Sequence, residues 1–471
     1  MPNMDKYKVT IGLEVHAELK TNSKMFCDCV NNPDEESPNM NICPVCMAHP
    51  GTLPVLNKKA IENVIKVGLA IGANIANFTE WDRKNYFYPD IPKGYQISQY
   101  KYPIVSGGEI GGVKITRIHL EEDTANNKHT DEASLIDFNR AGVPLMELVT
   151  EPVIHSAEDA GNFGRELQLL LRTLGVSDAN MEKGEMRVEL NLSVSDTDKF
   201  GTKVEVKNIN SFKAVEKAAK FEIERHIKLL EEGRGNEIVQ ETRGWDENKE
   251  ITFSQRSKEN SEDYRYFPEP DLPKMHLHEV FDLEKMRGEL PELPWEKREK
   301  YRSFGFSEEA VSVALINKEV EERFSKLINN NIPKNQSKKI ENYIITNVLG
   351  EINLNPTLSM PSLPSMNSIS SMYINNKINS AIEKKLLKLA MEIKDFDPES
   401  YAKENNLLQE SNEDAIKELV QKIIDANPKI VADYKSGNEN LLKFLMGQVM
   451  KESKGSANPQ VATEILIELL S

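Results

Sequence analysis

The chain predicts an α+β protein. An antiparallel-sheet cradle spans residues 1–293. A helical linker domain (294–357), a low-complexity connector (358–377) and a small all-α tail domain (378–471) follow. Three observations carry this reading. Segments with strict two-residue alternation recur up to Lys207, amphipathic 3.6-residue periodicity dominates after Pro294, and a Ser/Met/Pro-rich stretch interrupts the helical half.

The first strand predicted is Val9–Lys20. Val9, Ile11, Leu13, Val15, Ala17 and Leu19 face one way, and Glu14, His16 and Glu18 stand in a row on the other. Carboxylate oxygens and a neutral imidazole suit a divalent metal. Residues 57–76 have helical periodicity through Ile61, Val64, Ile65, Gly68 and Leu69. Residues 84–100 form a loop crowded with Tyr and Pro, which reads as a binding wall. Residues 113–123 are strand-like through Ile118 and Leu120 and end in Glu121, Glu122 and Asp123. Three successive carboxylates repel one another unless a cation sits among them.

A loop from Asp137 leads to a strand carrying Glu147 and Glu151. Ser156 with Asp159 opens a helix that stops at Gly175. The next alternating strand sets Arg187, Glu189, Asn191 and Ser193 opposite Met186, Val188, Leu190, Leu192 and Val194. Lys203, Glu205 and Lys207 repeat the pattern before a helix from Ser211 to about Glu232. Acids beside Arg187, Lys203 and Lys207 on one sheet face suit metal-bridged phosphates. Neither a Walker A sequence nor a kinase glycine-rich loop occurs.

Cys27-Asp-Cys29 and Cys43-Pro-Val-Cys46 have the spacing of a closed four-cysteine structural zinc site. A rival arrangement draws His16, Glu18, Cys43 and Cys46 into a zinc-deaminase or hydrolase centre, although Ile42 stands where that signature has proline. Four cysteines in a chain whose start lacks a basic region and apolar core point to metal or thiol chemistry in a cytoplasmic or organellar-type compartment. No apolar run approaches the roughly 18 residues that a membrane span needs. The formal net charge of −16 excludes a broad basic nucleic-acid surface but leaves room for a local groove.

Several segments together resemble a known family. Ile-Gly-Leu-Glu-Val-His at 11–16, Lys-Asn-Tyr-Phe-Tyr-Pro-Asp at 84–90, Gln-Ile-Ser-Gln at 96–99 and Leu-Glu-Glu-Asp at 120–123 are similar to the B subunit of glutamyl/aspartyl-tRNA amidotransferase. So are Asp-Tyr-Arg-Tyr-Phe-Pro-Glu-Pro-Asp-Leu at 263–272 and Met-Gly-Gln-Val-Met-Lys at 446–451. The resemblance implies an enzyme using ATP and Mg2+ to phosphorylate the side-chain carboxylate of Glu on tRNA(Gln) or Asp on tRNA(Asn). Ammonia from a partner glutaminase, the family's A subunit, then displaces phosphate, with a small C subunit completing the complex. It implies Glu14, His16, Glu122 and Glu147 as metal ligands. Glu121, Asp123, Arg187, Asn191, Lys207 and Asn208 are implied beside the metal or on the phosphate side, and the cysteines as a structural zinc site. The family often reads Arg-Cys-Asp-x-Asn where this chain has Arg187-Val-Glu189-Leu-Asn191. The helical tail resembles a module that grips the tRNA elbow, with Lys443, Lys451 and Lys454 as contacts. A non-catalytic RNA-binding scaffold is a third alternative.

Overall fold

The computed structural model describes residues 6–130, 132–257, 264–329, 338, 341–355, 357–375, 377–408, 413–438, 440–453 and 457–470. The chain divides into two compact units, Met1–Pro294 and Trp295–Ser471. Strands of the first unit are β1 (Lys8–Glu18), β2 (Asn74–Ile75), β3 (Phe78–Thr79), β4 (Asp82–Asn85), β5 (Tyr95–Ser98), β6 (Val105–Ser106), β7 (Glu109–Ile110) and β8 (Val113–Glu122). They continue as β9 (Asn126–His129), β10 (Ser134–Asp137), β11 (Pro144–Thr150), β12 (Met186–Ser195), β13 (Val204–Lys207), β14 (Glu241–Asp246), β15 (Ile251–Ser257), β16 (Phe267–Pro268) and β17 (Met275–His276). Among the described residues, the main sheet runs β15-β14-β13-β12-β1-β11-β8-β6-β2, with β7 beside β8. It is not purely antiparallel, because β13 and β14 pair in parallel.

The alternation of β1 is realised. Ile11, Leu13, Val15 and Ala17 are buried, while Glu14, His16 and Glu18 are half-buried on the other face. Strand β1 is central, pairing with β11 on one side and β12 on the other. Helix α1 (Lys58–Ala70) is capped by Asn57, whose side chain accepts from the Lys59 and Ala60 amides at 3.0 and 3.2 Å. It ends short of residue 76. Gly72 turns the chain at φ 67°, and Asn74–Ile75 then pairs with Val105–Ser106. Ser156 caps α2 (Ala157–Thr173) and Ser211 caps α3 (Phe212–Glu231). The two helices pack on each other, and α3 packs on β12 and β15. Gly164 makes the close approach: a Cβ there would lie 2.8 Å from the Phe212 ring.

The second unit is helical. Where the sequence predicts a weakly ordered connector, a helix spans Leu363–Ile374, capped by Ser362 with Pro in its first turn. Met366, Ile369 and Met372 are buried in a core with Phe306, Phe324 and Leu386. A separate core holds Ile416, Val420, Leu445, Val449 and Leu466. The Asn/Lys-rich turn expected at 329–338 lies almost entirely outside the described residues. Among the described residues no helix is long and apolar enough to cross a membrane.

Glu222 on α3 ties the helix to the sheet edge. It is fully buried, with Arg225 at 2.7 Å, Arg243 at 3.2 Å, His226 at 3.4 Å and a hydrogen bond from Thr252. Burial opposes its charge, but the His226, Arg225 and Thr252 hydrogen bonds outweigh that and lower its pKa from 4.5 to about 2. The stability this carboxylate contributes is complete above pH 4.5 and is lost as pH falls towards about 2. Glu222→Gln is expected to cost about 3 kcal/mol in urea unfolding at pH 7, because it removes the buried carboxylate that Arg225 and Arg243 share. The difference from wild type should shrink through that acid window.

Candidate active site

Register aligns the functional side chains in rows across one sheet face. Arg187, His16, Glu147 and His119 stand side by side on β12, β1, β11 and β8. Glu189, Glu14, Val149 and Arg117 form the row on one side of it, and Glu18, Leu145 and Glu121 the row on the other. Directly opposed residues of antiparallel strands share a face. Strands far apart in sequence therefore deliver side chains to one place.

The meeting point is Glu147, 6% exposed. Its Oε2 lies 3.4 Å from His16 Nε2 and 3.3 Å from His119 Nε2, and its Oε1 lies 3.4 Å from Arg117. Glu121 approaches both imidazoles as well, with Oε1 at 3.7 Å from His16 and Oε2 at 3.8 Å from His119. Glu14 is 3.9 Å from His16. Burial disfavours imidazolium, yet hydrogen bonding to Glu147 and the surrounding carboxylate charges prevail, so both histidines are raised to about 9. Glu147 is driven well below the carboxylate range against its burial, chiefly by His119. Burial, then the charges of Glu147 and Glu189, push Glu14 up to about 7. Buried oxygen and imidazole donors of this kind fit a hard divalent cation, which would replace the imidazole protons.

The successive acids do not share one cation. Side chains of a strand alternate, so Glu121 faces His16 while its neighbour Glu122 points to the opposite face. There Glu122 accepts from Lys93 Nζ at 2.6 Å and from the Ile97 amide at 2.9 Å. Asp123 receives Arg187 Nη2 at 3.0 and 3.1 Å, with Arg140 at 3.6 Å. Of the expected ligand set, Glu14, His16 and Glu147 stand together, Glu122 stands apart from them, and Glu121 lies beside His16 instead. Glu121 and Asp123 titrate low despite burial, Asp123 through its two arginines.

Lys207 pairs with Glu189 at 2.9 Å, and the Asn191 side-chain oxygen is buried without a hydrogen-bond partner. Lys203 precedes β13 and Asn208 follows it at φ 63°; both are exposed, unlike the cluster. The expected loop at 84–100 is partly a hairpin of β4 and β5. From it Lys84 sits over the rings of Tyr86 and Tyr264, at 5.8 and 5.1 Å. Tyr264 and Tyr266 come from the 263–272 segment, whose β16 pairs with β4, and Tyr266 stacks on Tyr100 at 4.3 Å. Burial pushes the Tyr86 and Tyr266 hydroxyls up, and the Glu121 and Glu147 charges reach both Tyr266 and Lys84. Sequence reasoning missed His119, Lys84, Lys93 and Arg117. Alternation from Glu121 reaches His119 directly, so that signal was present.

The cysteines form a separate cluster. All four sulfurs lie within 4.8 Å of one another, and Cys29 and Cys46 are 4.0 Å apart. Four sulfurs about 2.3 Å from a tetrahedral zinc stand about 3.8 Å apart, so the donor set fits. A hydrogen bond from Cys27, helped by the charge of buried Lys24, lowers Cys46 to about 5, while burial raises Cys29 to about 12. His16 stands among carboxylates and not among the thiols, so the deaminase alternative has no shared centre. In the tail, Lys443 and Lys451 are exposed on the helix Leu441–Glu452, and Lys454 lies outside the described residues.

A carboxylate and imidazole centre on a mixed sheet, with a four-thiol loop and a helical second unit, describes an α+β protein with two sets of donors that fit metal ions. Comparison narrows it. Residues 9–281 match the family model described as the GatB/GatE catalytic domain, and residues 322–470 match that of the GatB domain. The B subunit of the aspartyl/glutamyl-tRNA(Asn/Gln) amidotransferase of Thermoanaerobacter pseudethanolicus is 44% identical over 99% of this chain and 100% of its own length. The B subunit of Thermotoga maritima is 43% identical over 99% of both chains, and that of a Picosynechococcus strain 39% over 100% and 99%. The chain belongs to the family of aspartyl/glutamyl-tRNA(Asn/Gln) amidotransferase B subunits.

Two outcomes are expected. Glu147→Gln should weaken Mn2+ binding by roughly 10- to 100-fold in calorimetric titration, while Glu122→Gln should retain it. Cys43→Ser should lose zinc by elemental analysis and lower Tm while Mn2+ still binds the sheet.

Proposed function

We propose that this protein activates the side-chain carboxylate of Glu on tRNA(Gln), Asp on tRNA(Asn), or both, and then amidates it. Its class is a carbon–nitrogen ligase with glutamine as amide donor. A carboxylate oxygen of the misacylated residue attacks the γ-phosphorus of ATP, and ADP leaves. Ammonia from the partner glutaminase (the A subunit), in a complex completed by the small C subunit, attacks the carbonyl carbon, and phosphate leaves. A carboxylate is a poor acyl donor, and the acyl phosphate supplies the missing leaving group.

The convergence of Glu14, His16, Glu121 and Glu147 on one sheet face carries this reading. These residues would hold Mg2+, which when bound neutralises triphosphate charge and orients the γ-phosphate. Lys84 and Arg117 bring positive charge towards Glu121 and Glu147, where phosphate oxygens would lie. The Asp123–Arg187 pair holds the guanidinium at the edge of the same face. Tyr86, Tyr264 and Tyr266 pack edge to face beside Lys84, where they would shield an acyl phosphate from water until ammonia arrives. Zinc in the cysteine loop would be structural. Lys443 and Lys451 offer backbone contacts for structured RNA. A reaction on aminoacylated tRNA belongs with translation, in the cytoplasm or an organelle that makes protein.

The test is ATP hydrolysis by the complex with its partner chains and Mg2+, with and without Glu-tRNA(Gln) or Asp-tRNA(Asn). Hydrolysis should depend on one misacylated tRNA or both and fall by roughly 100-fold in Glu147→Gln. No stimulation by either tRNA, with the complex intact, would sink the proposal. Unchanged activity in Glu147→Gln would favour the scaffold alternative.

A further inference from the structure

Rings from two distant segments form one continuous row beside Lys84. Tyr88 meets Tyr86 edge to face with centroids 5.9 Å apart, and Tyr86 meets Tyr264 at 5.9 Å. Tyr264 meets Tyr266 at 6.1 Å, and Tyr266 stacks on Tyr100 at 4.3 Å. Lys84, which feels the Glu121 and Glu147 charges, stands over the Tyr86 and Tyr264 rings in the middle of the row. We propose that this row seats the unpaired 3′ end of the aminoacylated RNA, with Phe87 and Tyr88 stacking on bases and Arg265 meeting a backbone phosphate.

The row is fixed from beneath and open above. Its inner rings are half-buried, while Tyr88 and Tyr100 at its ends are 51% and 53% exposed. Phe87, at the tip of the hairpin of β4 and β5, is 88% exposed. The tip is tied down, because the Tyr86 amide donates to the Gly94 carbonyl at 3.2 Å and the Ile91 amide to the Tyr88 carbonyl at 3.1 Å. A Cβ on Gly94, at φ 72°, would lie 3.3 Å from the Phe87 ring, so the ring rests against backbone on one side and meets water on the other. Arg265 is exposed between Tyr264 and Tyr266 in sequence and holds φ 46°, a conformation that strains any residue but glycine. Asn85 Nδ2 donates to the Tyr264 and Arg265 carbonyls at 3.2 and 2.9 Å and keeps that backbone in place.

Tyrosine and phenylalanine rings stack on any base, because every base has a π-face, and cations beside them take the phosphates. A nucleoside triphosphate has one base and needs one ring face. Exposed rings at both ends of the row, with Lys84 and Arg265 along it, suit a strand of several nucleotides. The inference rests on the proposed reaction, which brings an aminoacyl group on a terminal ribose to the centre, and it assigns the place of the RNA behind that group.

The test uses the complex with its partner chains and deacylated tRNA(Gln) carrying 2-aminopurine, in turn, at each of its unpaired 3′ positions. Stacking quenches this base, and with no ATP added catalysis plays no part. Binding should quench the probe in at least one position. Phe87→Ala should lose most of that quench at saturating tRNA, while Phe200→Ala, at another exposed ring, keeps it. Arg265→Ala should lower the slope of log Kd against log salt concentration by about one. Bound tRNA without a quench, or a quench that Phe87→Ala leaves whole, overturns the platform and leaves the proposed reaction standing. A fall in ATP affinity in Phe87→Ala with the quench untouched gives the ring to the nucleotide and overturns it too. An unchanged slope overturns the role of Arg265. No tRNA binding by the intact complex overturns the platform and the proposed reaction together, and the wild-type quench decides if a variant fails to fold.

Discussion

Glu147 is the residue on which the centre depends. It is buried in the middle of the sheet and would be costly there as a lone charge. It stays ionised because His16 and His119 flank the same oxygen and Arg117 reaches the other. The same three strands that bring those partners together also form the middle of the sheet, so the centre depends on their pairing. The apolar face of β1 secures the register; a slip of one residue would send Glu14 and His16 into the core.

Around this point, charge is compensated locally and not pooled. Glu121, Glu122 and Asp123 are consecutive, yet each has its own cationic environment: His16 and His119, Lys93, and Arg187 with Arg140. Strand alternation separates neighbours that repel and delivers them to both faces of one sheet. The hairpin of β4 and β5 contributes to each face, since Ser98 holds Glu121 while the Ile97 amide holds Glu122.

Much of this was legible in the sequence. Period-two alternation located β1, β12 and β13 and placed Glu14, His16, Arg187 and Lys207 on polar faces. Ser156 with Asp159 marks the start of α2, and the expected start at Ser211 is that of α3. Reading the three acids as one unit, and not as alternating positions, hid both the departure of Glu122 and the arrival of His119. The Tyr264 and Tyr266 wall was hidden for another reason: β16 comes to β4 from far along the chain, a pairing that no local pattern encodes. The helix Leu363–Ile374 was masked by composition, because Ser and Pro outnumber the three apolar residues, Met366, Ile369 and Met372, that it buries.

The cysteine loop is clasped to the turn before β11. Asn39 and Asn41 amides donate to Asp137 and Asn139, Asn39 accepts from the Phe138 amide, and the Met25 amide donates to the Gly142 carbonyl, whose φ of 85° makes the turn. These partners are 98 residues apart for Asn39 and Asp137. During synthesis at about 5–20 residues per second, the thiols therefore precede their clasp by about 5 to 20 seconds. In that interval the four thiols are an open peptide, and any ion they took up would be chosen by thiolate softness. The carboxylate and imidazole centre cannot load so early, since it does not exist until β1, β8 and β11 have paired. Chain order would thus present the soft donors to metal before the hard ones.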